Sequence, residues 1–499
     1  VSLLKSKIVW IVLSLFMLIR IVVLAQLDLF PDEAYYWDWH RFLSLGYYDH
    51  PPMIAWLVHF ASFLFGDGYW GVKAVPLILG LGILIIMLNL SKRYLKSLSS
   101  VILFLLLMYV TLLFAVGGLL LTPDIIFVFF WGSGLLIGYW ALFEEKSWAW
   151  PLLGVISGMG LLSKYIFVLF IVSFGLYLLL QARTRRLLLT WKPWSALLIA
   201  AIVFLPNVFW NATNNWISYV FQLGHGFKSE TTWPHWKSFF EFIGSQVGLF
   251  SPFLFLFLIV AVVHFFKYHC KDDTLRYLIV FLIVPLLFFS ISSLSAKVEA
   301  NWAAPAFLSG LLIGVWYWEQ MKSKIVRFLF VGAVLFSTLI FLIVIIHAMI
   351  PFLPIHSRVD RTFDQSGWAT LADQVDGIRR QIDPEGNMPL CANRYQLTSL
   401  LAFHCQDQPR TWALNLESRE NHYSLLEDRQ NIINDTLLFV HEFNPGLQDC
   451  PYHEYFSSCV KLSELIRPLT ENERSIFGMY RVTLNSKGKS LLRNTLTSR

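Results

Sequence analysis

Charge is scarce in this chain: only 14% of its residues are Asp, Glu, Lys or Arg. An ordinary soluble domain carries about 25%, so a chain this poor in charge cannot present a water-facing surface along its whole length. Cysteine is scarcer still, at five in 499 residues, and Cys270 is the only one before Cys391. No internal repeat or low-complexity tract is visible, which argues against a solenoid or an array. The polar C-terminal stretch has no glycine-rich phosphate loop, no metal-ligand spacing and no nucleophile motif. Its expected role is therefore to shape or cover a site elsewhere, or simply to stabilise the chain. The net charge of +6 is modest and gives no reason to expect a nucleic-acid partner.

What the chain has in abundance is apolar surface, at 56% hydrophobic residues and a mean hydropathy of +0.57. Runs of the roughly 20 residues that cross a hydrocarbon core recur from Ile8 to Ile350 and then stop. They predict helices near 8–25, 71–90, 98–116, 125–143, 149–163, 165–182, 195–211, 246–266, 277–294, 302–319 and 328–350, about 11 crossings. The first run follows Lys5 and Lys7 but lacks a small-residue cleavage site and contains Arg20. It reads as a retained helix rather than a secretory signal.

Basic clusters orient these helices, because Lys and Arg collect in cytoplasmic loops. With the N-terminus inside, Lys92-Arg93-Lys96, Glu144-Glu145-Lys146, Arg183–Arg186 with Lys192, Lys267–Lys271–Arg276 and Lys322–Lys324–Arg327 all fall inside. An odd number of crossings then sends residues 351–499 outside. Cysteine usage agrees: Cys391, Cys405, Cys450 and Cys459 lie in that tail, an even number suited to an oxidising compartment. Proximity in sequence alone predicts Cys391–Cys405 and Cys450–Cys459 bridges, one of the three pairings that four cysteines allow, with four free or buried thiols as the alternative. Helical spacing over 367–382 and short apolar runs at 436–440 and 478–484 predict a mixed domain. The expected fold is a polytopic α-helical membrane protein over 1–350 with a small C-terminal extracytoplasmic α/β domain over 351–499.

The candidate chemistry sits in the outward loops. Phe30-Pro31-Asp32-Glu33 places two adjacent acids just past the first helix, where partial desolvation can tune a carboxyl pKa. Read blandly, the same segment is a solvated loop with interfacial aromatics. Further on, Tyr48-Asp49-His50-Pro51-Pro52 combines an acid and an imidazole before a rigid turn. Asp49 and His50, with His225 as a third group, are candidate ligands for a divalent metal, although two adjacent ligands do not make a site; His225 lies between glycines and reads equally as a turn residue. Thr122-Pro123-Asp124, Ser163-Lys164 and Lys297-Val298-Glu299-Ala300-Asn301 supply further polar groups beside apolar spans, which are functional candidates by default. Acids and lysines gathered on one side suit an acid that activates an acceptor and a cation that neutralises a departing phosphate.

An acidic pair after the first helix, a Pro-Pro segment, Thr-Pro-Asp, Gly-Leu-Leu-Ser-Lys and an outer tail, in that order, resemble the GT-C membrane glycosyltransferases. Within them the chain is similar to the protein mannosyltransferase-like superfamily that includes the aminoarabinose transferases of lipid A. The resemblance implies about 11–13 membrane helices, a polyprenyl-phosphate sugar donor, a lipid or glycan acceptor outside the cytoplasm and inversion at the anomeric carbon. It implies Asp32 as the catalytic acid-base or positioning residue with Glu33 beside it, and Asp124 as a second acid. Lys164 and Lys297 would hold the donor phosphate, and Tyr48, Asp49, His50, His225, Glu299 and Asn301 would line the substrate. That family tends to carry Glu-Lys-Pro-Pro where this chain has Asp49-His50-Pro51-Pro52. The expected setting is a bacterial inner membrane with the tail in the periplasm and lipid A or another surface glycolipid as acceptor. Transfer to protein is the alternative. A lipid-linked sugar transporter would handle the same ligand, but it would bury its ionisable groups near mid-membrane and often show repeated halves.

Overall fold

The computed structural model describes residues 6–227, 233–357, 359–426, 431–433, 435–442, 450–470 and 473–493. They form two compact units. The first comprises residues 1–25, 50–57 and 73–346; the second comprises residues 26–49, 58–72 and 347–499.

The first unit is helical. Among the described residues seven helices are long and apolar enough to cross a bilayer: Lys7–Leu24, Tyr69–Ser91, Pro123–Leu142, Trp191–Thr213, Pro252–His269, Asp273–Ser292 and Lys324–Met349. Shorter apolar helices, Leu98–Val110 and Ala149–Ser163, lie between them, with a pair over Tyr165–Leu180 and Ala182–Leu189 bent by 107°. The chain is thus a multi-pass membrane protein. Each expected apolar run contains a helix, but some are cut short by backbone chemistry. The 246–266 run breaks at Ser251, which has a positive φ of 81°. Pro252 follows, starts the next helix and disfavours helical geometry in the residue before it. Packing relies on small residues where helices cross closely. A side chain on Gly154 would meet the Ala196 carbonyl at 2.5 Å, and one on Gly158 would meet Val203 at 2.5 Å, so the Trp191–Thr213 helix rests directly on the Ala149–Ser163 backbone.

The second unit contains the tail and more. Its sheet has five strands, β1 (Leu390–Ala392), β2 (Thr411–Ala413), β3 (Thr436–Glu442), β4 (Phe456–Pro468) and β5 (Arg474–Leu484), in the order β2-β1-β3-β5-β4. β1 runs parallel to β2 and β3, while β5 is antiparallel to β3 and β4. The expected helix over 367–382 is present as Trp368–Ile382. Two cores cover the sheet. Leu390, Ala392, Leu438, Val440 and Met479 face one side with Leu371, Val375, Leu400 and Cys405. Cys391, Trp412, Leu437, Phe439, Tyr480 and Val482 face the other, as the two-residue period of a strand requires.

That alternation corrects one expected disulfide. Cys450 and Cys459 are bonded, whereas Cys391 and Cys405 are not bonded to each other. Cys391 points to one face of β1, and Cys405 ends a helix on the opposite face, so the sheet itself lies between the two thiols. Fourteen residues of separation suggested a bridge, but proximity in sequence carries no information about faces.

Candidate functional site

Pro31 begins the Pro31–His40 helix, and its missing N–H costs nothing there. Three residues past the cap, Glu33 turns back so that its carboxylate accepts the Phe30 backbone N–H at 3.0 Å, and its side chain is buried. Glu33 therefore holds the helix start together. Asp32 beside it stays exposed, and its Oδ1 accepts a 3.1 Å hydrogen bond from the Tyr395 hydroxyl.

Tyr395 is brought there by a second short helix, Tyr395–His404, which connects β1 to the parallel β2. Three contacts fix how the two helices lie within this unit: Asp32 with Tyr395, Trp37 ring to Phe403 ring at 4.9 Å, and the Arg41 guanidinium to the Gln408 carbonyl at 2.9 Å. Numbers rise together along both chains, so the helices are parallel and present their N-termini at the same end. Both positive helix ends then face the Asp32 carboxylate.

Asp49 completes this cluster. Its Oδ2 accepts from the Tyr35 hydroxyl at 2.6 Å and its Oδ1 from Arg419 at 2.8 Å. The Arg419 guanidinium also lies 4.9 Å from the centre of the Tyr395 ring. The Tyr35 hydroxyl in turn accepts the His422 backbone N–H at 2.7 Å. Tyr395 follows the C-terminal end of β1 and Arg419 follows that of β2, the edge where parallel strands usually present functional groups.

The electrostatics separate the acids. Burial pushes the Asp32 carboxyl above the ordinary carboxylate range, and the charges of Asp49 and Glu33 act in the same direction. The Tyr395 hydrogen bond and the Arg419 charge oppose it. Asp32 is hemmed in by surrounding protein while its own surface stays open to solvent, which tempers the shift. Burial and the Asp49 charge raise Tyr35 well above the usual phenol range, keeping its proton available for donation. Tyr48 is pushed up to about 12, first by burial and then by the charges of Glu420 and Asp49.

The first unit holds a separate polar cluster. Pro123 starts the Pro123–Leu142 helix, and Asp124 lies in its first turn, where the helix dipole favours an anion. Lys164 closes the Ala149–Ser163 helix with extended backbone. Its ammonium donates to Asp124 Oδ1 at 2.7 Å and stands 5.6 Å from the Trp302 ring centre. Lys297 and Glu299 pair with one another at 3.1 Å with both side chains exposed, a surface pair of small energetic weight. His50 approaches Gln222 at 3.5 Å. His225 lies in the Ile217–Phe227 helix rather than in a turn, and its side chain is outside the described residues. Among the described residues no three His, Cys, Asp or Glu side chains gather as a metal site.

Sequence reasoning missed Tyr35, Tyr395 and Arg419. Only the run of aromatics that follows Asp32 hinted at Tyr35. Nothing local marked the other two.

The fold is of the GT-C type, with multiple membrane helices and a C-terminal α/β domain. It matches the crystal structure of ArnT from Cupriavidus metallidurans bound to undecaprenyl phosphate, with a TM-score of 0.61 over 95% of this chain and 98% of that one at 14% identity. Residues 49–210 match the family described as dolichyl-phosphate-mannose-protein mannosyltransferase. Among individual proteins, the chain is 29% identical over 314 residues to lipid A galacturonosyltransferase RgtD of Rhizobium johnstonii, covering 60% of this chain and 63% of that protein. It is also 26% identical over 294 residues to undecaprenyl phosphate-alpha-4-amino-4-deoxy-L-arabinose arabinosyl transferase 1 of Pseudomonas fluorescens, covering 52% of this chain and 51% of that one. The similarity thus spans less than two thirds of either relative's length.

Proposed function

We propose that this protein transfers a sugar from a polyprenyl-phosphate donor to an extracytoplasmic acceptor, lipid A or a related surface glycolipid, with inversion at the anomeric carbon. The observation that carries the reading is the division of labour among three neighbouring acids. Glu33 is committed to a helix cap and Asp49 to Tyr35 and Arg419, while Asp32 remains exposed with a raised pKa. The relatives' names supply the substrate class.

In this reading the acceptor oxygen attacks the anomeric carbon as the bond to the lipid phosphate breaks. A hydroxyl acceptor passes its proton to Asp32, which must be ionised to receive it. A phosphate acceptor is already ionised, and Asp32 then only orients it. Tyr395 positions the Asp32 carboxylate. Lys164 is the proposed cation for the departing phosphate, where a charge-assisted contact stabilises developing negative charge. Lys297, paired with Glu299 at the surface, is assigned a lesser part. The site is proposed to face the periplasm from a bacterial inner membrane, with the N-terminus in the cytoplasm.

Incubation of the purified protein with polyprenyl-phosphate sugars and either lipid A or unfolded polypeptide, followed by mass spectrometry of both acceptors, tests the proposal. Glycan on the lipid supports it. Glycan on polypeptide alone would replace the acceptor, and transfer to neither would reject the reading.

A further inference from the structure

Arg20 is 4% exposed in the Lys7–Leu24 helix, and its Nη1 has no hydrogen-bond partner. Among the described residues no carboxylate pairs with it; its neighbour is the Tyr109 ring, 5.3 Å away. The surrounding backbone is cut to fit the guanidinium. A side chain on Gly80 would come within 2.1 Å of Nη1, and one on Gly118 within 2.5 Å of Nη2. A buried cation without a counter-ion is costly beside a membrane, so its retention calls for a use.

The guanidinium lines a cavity of about 240 Å³. Its wall is largely apolar, including Ile83 and Leu84, and its polar groups are Arg20, Thr122, Asp124 and Asn301. Asp124 is already paired with Lys164 at 2.7 Å, which leaves Arg20 as the cavity's uncompensated charge. Arg20 stands four residues, about 6 Å of rise, before its helix ends at Leu24.

We propose that this cavity takes the sugar of the donor and that Arg20 receives an oxyanion on it, the carboxylate of a uronic acid. The inference rests on the function proposed above, in which Lys164 is assigned the lipid phosphate and a second cation is left over. The planar fork of a guanidinium matches a carboxylate with two parallel N–H donors. A neutral sugar would leave the charge buried and unanswered, so Arg20 selects against it.

The test compares undecaprenyl-phosphate galacturonate with undecaprenyl-phosphate galactose, which differ only in the carboxylate, as donors for the full chain and for Arg20→Gln and Arg20→Lys. The wild-type chain should prefer the uronate by at least tenfold in kcat/KM, and Arg20→Gln should abolish that preference. Arg20→Lys, which keeps the charge and loses the fork, should retain part of it and guards against a folding defect in the first variant. Equal losses with both donors would assign Arg20 to the phosphate and overturn the inference, as would a wild-type preference for galactose; either leaves the transferase reading standing. If the wild-type chain transfers neither sugar, donor-induced shifts in thermal unfolding still decide the inference. A larger shift with the uronate donor that Arg20→Gln removes supports the carboxylate site, and equal shifts reject it.

Discussion

Asp32 and Glu33 are adjacent and chemically alike, yet their surroundings give them different work. Replacing Glu33 with Ala removes the acceptor for the Phe30 N–H and should cost about 1 kcal/mol of stability, read by denaturant unfolding, with little loss of transfer per folded molecule. Asp32→Asn should do the reverse. A carboxyl with a raised folded pKa contributes stability below the ordinary carboxyl range and loses it as pH rises through that folded value. At neutral pH the charged Asp32 is therefore a liability to the fold, and the Asn variant should melt no lower than wild type while losing activity. With a hydroxyl acceptor, kcat/KM should fall as pH drops through the raised Asp32 pKa. Tyr395→Phe removes a hydrogen bond that holds this pKa down, so the acid limb of the profile should move to higher pH; an unmoved limb would detach Tyr395 from Asp32. Asp32 was legible in sequence because an acid after an apolar run is conspicuous. The helix-start signal of Pro31 and Glu33 was equally present in Phe30-Pro31-Asp32-Glu33, and it distinguishes the two acids. Tyr395 and Arg419 were not legible, since they meet Asp32 and Asp49 across 363 and 370 residues of chain.

Element by element, apolar periodicity located the long helices and some shorter ones, such as Ala149–Ser163, but missed others. Pro31–His40 contains only ten residues with acids and His among its aromatics, too mixed to register as an apolar run, although it carries the candidate site. Met53–Phe65 is apolar but below crossing length. Tail strands β1 and β2 are three residues each, shorter than any pattern can define, and the helix between them supplies Tyr395. Close helix crossings are the most testable feature at this scale. Gly158→Val would drive a branched side chain into Val203 and the Ala200 carbonyl, an overpacking that should cost about 1–3 kcal/mol in reversible unfolding from detergent. No loss would show that the Trp191–Thr213 helix can withdraw freely.

For the molecule as a whole, the boundary expected at residue 350 divides the sequence, but the compact units do not follow it. Residues 26–49 and 58–72 join the tail in one unit, which places Asp32 and Asp49 among tail residues. Sequence patterning could not reveal this, because pairing between a loop and a distant domain leaves no periodic trace. The Cys450–Cys459 bond fits a tail outside the cytoplasm, and exposed Cys270 offers a direct check. A membrane-impermeant thiol reagent applied to intact cells should leave Cys270 unmodified and label it only after permeabilisation. Labelling in intact cells would reverse the orientation.

The central claim is that Asp32 is the working acid of a lipid-linked sugar transferase. Its most direct test is sugar transfer to lipid A by the purified full chain and its Asp32→Asn variant, followed by mass spectrometry with the two proteins matched for folded content. The account predicts that the variant's rate falls by about 100-fold or more; a rate within about twofold of wild type, less than about 0.5 kcal/mol in the barrier, would contradict it.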